Sequence, residues 1–112
     1  MQLRRSASPS AGDAVLDVAG ELDVADVVRL REAIRQGFDE GHTGVLVNLS
    51  EVSFIDSTAV SSLLEEHQAA AARGRHLGLV APAEPVTRVL ALLGLGDVLN
   101  IHPSVADAVG RR

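Results

Sequence analysis

The sequence predicts an α/β fold, a layer of strands and helices with mostly parallel pairing. Three observations predict it. Short runs rich in Val, Leu and Ile alternate with longer stretches whose apolar residues recur at three- and four-residue steps. Glycine or proline punctuates most changes from one pattern to the other. The alternation runs strand, helix, strand, helix to the end of the chain, and such units form layers with largely parallel pairing.

The elements follow in order. Residues 6–12, Ser-Ala-Ser-Pro-Ser-Ala-Gly, read as a loose loop, which confines a first strand to about Met1–Arg5. Ala14–Gly20 is a clearer strand, ending at its glycine. Asp23 is placed to cap a helix from Val24 to about Phe38, with Val27, Leu30, Ile34 and Phe38 on one face. Gly37 and Gly41 bracket its end. Val45–Leu49 reads as a buried strand. A second helix starts at Asp56 or Ser57, shows an apolar face of Val60, Leu63, Leu64, His67 and Ala71, and runs to about Arg73 before Gly74. His76–Ala81 is a strand stopped by Pro82. Pro85 suits the first turn of a third helix, with a stripe of Val86, Val89, Leu90 and Leu93. Val98–His102 is a last short strand, and Pro103–Val109 a short closing helix before a tail at residues 110–112.

One domain is expected of 112 residues. Apolar residues make up 46% and aromatics only 2%, so the core must be built from Val, Leu, Ile and Ala. The absence of cysteine removes disulfides and thiolate metal sites. A net charge of −5 argues against nucleic acid and against anionic membrane surfaces as partners. No apolar run spans a bilayer, and Arg4-Arg5 are not followed by the apolar segment of a secretory signal, so a cytoplasmic location is expected.

Function is expected where the central strand gives way to the second helix. There Ile55-Asp56-Ser57-Thr58 puts a small hydroxyl at a helix N-terminus, beside a carboxylate, on a loop leaving the carboxyl end of a strand. As a cap alone, Asp56 or Ser57 would contribute about 1 kcal/mol. A second acid, Asp23, ends a neighbouring strand, and the two loops can lie side by side. Phosphate on Ser57 would add about −1.5 to −2 charges where helix N–H groups favour anions. Catalysis by Ser57 is not expected, because a nucleophile elbow needs small residues on both sides and Ile55 to Ala59 does not supply them. His42, His67, His76 and His102 are dispersed, and no pair has ligand spacing, so no metal is expected. His67, on the apolar helix face, reads as a partly buried histidine. Gly94-Leu95-Gly96 follows a helix and is a stop rather than a phosphate loop.

Val18-Ala19-Gly20-Glu21-Leu22-Asp23, the run Val47 to Ala59, and Pro82 to Leu90 with Gly94-Leu95 together resemble the STAS domain, in particular the bacterial anti-sigma factor antagonists. The likeness covers about residues 2 to 109 as a single STAS domain, and it implies a small mixed, mostly parallel sheet flanked by helices. It implies a binding protein, not an enzyme, with no cofactor of its own. The serine after the aspartate, Ser57 here, would be phosphorylated by an anti-sigma factor that is also a serine kinase, with Thr58 a possible second acceptor. The unphosphorylated chain would bind that anti-sigma factor and free a sigma factor, and a PP2C-type phosphatase would restore it. Asp23, Asp56, Ser57, Thr58, Ala59, Ser61 and Ser62 are the expected partner-binding residues. The family usually has glycine where this chain has Ala59. The alternative function is a STAS scaffold in a stress-signalling complex, or a soluble subunit of a lipid-transport ATPase.

Overall fold

The computed structural model describes residues 1–110, and the expected arginine tail at 111–112 lies outside the described residues. Five strands form one sheet in sequence order: β1 (Gln2–Ser6), β2 (Asp13–Leu22), β3 (Gly44–Ile55), β4 (His76–Val80) and β5 (Asn100–His102). Strand β1 pairs antiparallel to β2, and every later pairing is parallel. The intervening helices are α1 (Val24–Asp39), α2 (Ser57–Ala72) and α3 (Glu84–Leu92), and α4 (Val105–Gly110) closes the described chain.

The main core lies between the sheet and α1, α2 and α3. Val27, Leu30 and Ile34 of α1 and Val60 and Leu63 of α2 meet Leu16, Val47, Leu49 and Leu79 of the strands. On the opposite face Val15, Leu46 and Val80 pack under Ala108 of the short α4. Strand residues therefore alternate between the two faces, and branched aliphatic side chains fill both. Gly37 lies in the last turn of α1 and Gly41 just beyond it, so the two bracket the helix end as expected. A Cβ on Gly37 would stand 2.9 Å from Val45 Cγ2, so glycine lets the helix lie close on β3.

Two strands are longer than the sequence pattern shows. β2 passes through Gly20, whose φ of +92° suits glycine, and continues to Leu22. β3 continues through Ser50–Ile55, a stretch read above as connection. The pairing explains this. Between Asp17/Asn48 and Ala19/Glu51, and again between Gly20/Val52 and Glu21/Phe54, β3 carries one more residue than β2. Two bulges therefore reset the inward face, so Leu49, Val52 and Ile55 are all buried at three-residue steps. That spacing does not look like a strand.

Two smaller corrections concern the helix faces and the last strand. On α2 the buried residues are Ala59, Val60, Ser62, Leu63, Glu66 and Ala70, while Ala71 is exposed. Strand β5 is only Asn100–His102, because Val98 and Leu99 belong to a turn bonded back to Leu95.

Candidate functional site

The ends of β2 and β3 build the site. Leu22 and Ile55 are paired in the parallel register, so the next residues, Asp23 and Asp56, leave the same edge on adjacent loops. The Asp56 N–H donates to the Leu22 carbonyl at 3.4 Å and ties the loops together. Both aspartates have extended backbone and cap their helices. Asp23 Oδ1 accepts from the N–H groups of Ala25 (3.1 Å) and Asp26 (3.0 Å), and Asp56 Oδ1 accepts from Ala59 at 2.7 Å. These bonds hold each carboxylate half-buried, and Asp56 rather than Ser57 is the cap.

With Asp56 as cap, Ser57 and Thr58 become the first two residues of α2, and both are exposed; so is Ser61, one turn on. Two of the expected partner-binding residues are not on this surface. Ala59 is fully buried, and Ser62 is only 7% exposed. The reason is the helical repeat: positions 59 and 62 turn inward with Val60, Leu63 and Glu66, whereas 57, 58 and 61 turn outward. The Ala59 methyl group therefore packs into the core and does not form part of the outer surface.

Ser62 belongs to a polar strut. Arg31 of α1 reaches Ser62 Oγ (3.4 Å), Glu65 (3.1 Å) and Glu66 (2.9 Å), and Arg35 contacts Glu66 at 2.9 Å. Glu66, 6% exposed, is matched by two guanidinium groups. Its hydrogen bond and its charge raise the Arg35 pKa above the ordinary value. The strut binds the middle of α1 to the middle of α2. Nothing in the sequence pattern marked Glu66 as buried, because its two partners lie 35 and 31 residues away.

Three apolar residues at this end of the molecule are exposed: Val24 (58%) and Val28 (54%) on α1, and Phe54 (46%) on β3. Sequence reasoning missed them as surface features. The signal was present for Val24 and Val28, which sit four residues apart and off the stripe of Val27, Leu30, Ile34 and Phe38. Among the described residues no three His, Cys, Asp or Glu side chains converge on a metal position, and no helix is long and apolar enough to cross a membrane.

This arrangement of paired capped loops between parallel strands can be set beside known proteins. Residues 6–108 match the STAS domain family. The chain belongs to the STAS domain family. A Staphylococcus epidermidis relative named anti-sigma-B factor antagonist is 32% identical to this STAS domain over 85 residues, covering 76% of this chain and 79% of the relative. Among solved structures, TM1081 of Thermotoga maritima superposes with a TM-score of 0.84 at 22% identity, over 98% of this chain and 95% of that one. The Bacillus cell fate determinant SpoIIAA, solved in its phosphorylated form, gives a TM-score of 0.72 at 23% identity over 98% of each chain. At these identities the structural likeness speaks for the fold: an α/β STAS domain with a mixed five-stranded sheet.

Proposed function

We propose that this STAS domain is an anti-sigma factor antagonist, a binding module switched by phosphorylation of Ser57, with Thr58 a possible second acceptor. The observation that carries the reading is the exposed Ser57 hydroxyl at the mouth of α2, next to the capping Asp56 on a loop tied to the one that leads to Asp23. The name of the curated relative supports the same role. The docking surface comprises Asp23, Asp56, Ser57, Thr58 and Ser61, and the exposed Val24, Val28 and Phe54 extend it with apolar area.

The physical logic is local. The N-terminus of α2 carries a partial positive charge of about half a unit, which tolerates an anion by about 0.3–1 kcal/mol at an exposed site. A phosphoserine brings about −1.5 to −2 charges to a position next to the Asp56 carboxylate. The domain keeps its fold, because Ser57 is exposed and the core lies beneath it. A partner seated over Asp23 and Asp56 meets a new doubly charged group in the middle of its contact.

The partner is an anti-sigma factor with serine kinase activity, and a PP2C-type phosphatase reverses the modification. ATP and magnesium belong to that kinase, and this chain is its substrate, not an enzyme. The site of action is the cytoplasm. Incubation with ATP and such a kinase, followed by intact-mass measurement, tests the reading: wild type gains one phosphoryl group and Ser57→Ala gains none. No gain with any kinase of this class, together with stable co-purification with a transport ATPase, would instead identify a permanent subunit.

A further inference from the structure

His76 on β4 and His102 on β5 are out of register, since His102 pairs with Val80. Their rings nevertheless meet. His76 leans along the sheet in one direction and His102 in the other, bringing their Nε2 atoms to 3.1 Å and their ring centroids to 5.2 Å. Gly78 makes the meeting possible: a Cβ there would stand 3.0 Å from His76 Nε2 and 3.1 Å from His102 Cδ2.

Two convergent imidazole nitrogens can share a proton or a metal ion. Bonds of about 2.0–2.1 Å to zinc place two nitrogens roughly 2.9–3.4 Å apart, for angles between 90° and tetrahedral. The observed separation lies inside that span. Metal-binding histidines are braced through their other ring nitrogen. Here Asn100 Nδ2 lies 3.3 Å from His76 Nδ1, which accepts from it in the empty pair, and also donates to the Leu77 carbonyl at 3.3 Å, so the ring's position is fixed. His102 is buried. His76 is half-buried, so one side of the pair is open for entry and for waters to complete the coordination.

We propose that His76 and His102 form a two-histidine site for a borderline divalent transition metal of the zinc, nickel or copper class. In the empty pair His76 carries its proton on Nε2 and donates it to His102 Nε2. Loading moves that proton to His76 Nδ1; the half-buried Asn100 amide keeps its bond to the Leu77 carbonyl and releases the ring, so that water accepts from Nδ1. Both Nε2 lone pairs then face the ion. Burial, with His102 and His67 nearby, holds the His76 pKa below its ordinary value, which keeps the ring neutral near neutral pH. The ion would clip the three-residue edge strand β5 to β4.

Calorimetric titration of the metal-free chain with zinc chloride tests this. One ion should bind per chain, and His76→Gln should weaken binding at least about tenfold, as should lowering the pH from about 7.5 to 5.5. In the wild-type chain, paramagnetic nickel should broaden the ring signals of His76 and His102 before those of His42 and His67. Absence of saturable binding overturns the proposal. So does zinc affinity untouched by His76→Gln, or broadening that begins at His42.

Discussion

At the scale of single residues, the side chain proposed to carry the switch is one that should contribute little to stability. Ser57 is exposed and makes no core contact, so Ser57→Ala should leave the unfolding free energy within about 0.5 kcal/mol. It should also abolish phosphorylation while keeping partner binding, which a pull-down with the kinase checks. Leu63, four and a half ångströms of helix rise further along α2 than Val60 by the usual ~1.5 Å per residue, is the opposite case. It is fully buried, and Leu63→Ala should cost about 2–5 kcal/mol by denaturant titration. His76 supplies a pH dependence in metal-free buffer. Its folded pKa is depressed by burial, then by His102 and His67. The unfolded chain therefore binds the proton more readily, and the stability is present above the ordinary histidine value and lost as pH falls through the folded one. Thermal midpoints should drop on acidification below about pH 6.5, and His76→Gln should reduce that drop.

At the scale of elements, legibility followed periodicity. Helix α1 was readable to within a residue, because Asp23 caps it and its buried stripe keeps a helical step. Most of β3 beyond Leu49 was not, since two bulges replace alternation by a three-residue inward step. The burial of Ala59 and Ser62 was hidden for a related reason: the apolar stripe of α2 includes an acid and a serine that Arg31 and Arg35 satisfy from another helix. The packing of α1 on β3 gives a direct test. Alanine in place of Gly37 gains about 1 kcal/mol of helix propensity. Its Cβ would lie 2.9 Å from Val45 Cγ2, however, and overpacking of a stiff valine costs about 1–3 kcal/mol. Gly37→Ala should therefore be net destabilising in thermal unfolding; a raised midpoint would show that α1 has room to move.

At the scale of the whole molecule, the α/β class and the parallel pairing were legible because each crossover helix is bounded by glycine or a cap. The juxtaposition of Asp23 and Asp56 was legible too, since it needs only that β2 and β3 be neighbours. The meeting of His76 and His102 was not, because it depends on two side chains leaning across a glycine between strands 26 residues apart. Charge bears on the mechanism at this scale. The chain carries −5, so long-range attraction must come from a basic partner surface, and added phosphate can only strengthen that attraction. The switch must then act at contact, by crowding and local repulsion at Asp56. Phosphorylation should raise the dissociation rate without lowering the salt-dependent association rate, which surface plasmon resonance at two ionic strengths resolves.

The central claim is that a phosphoryl group on Ser57 alone breaks the contact with an anti-sigma factor of the serine-kinase class. Isothermal titration of that factor with the unmodified chain and with the chain stoichiometrically phosphorylated at Ser57 measures it directly. The account predicts a loss of about 100-fold or more in affinity, roughly 2.7 kcal/mol, with circular dichroism unchanged. Equal affinity of the two forms would contradict it.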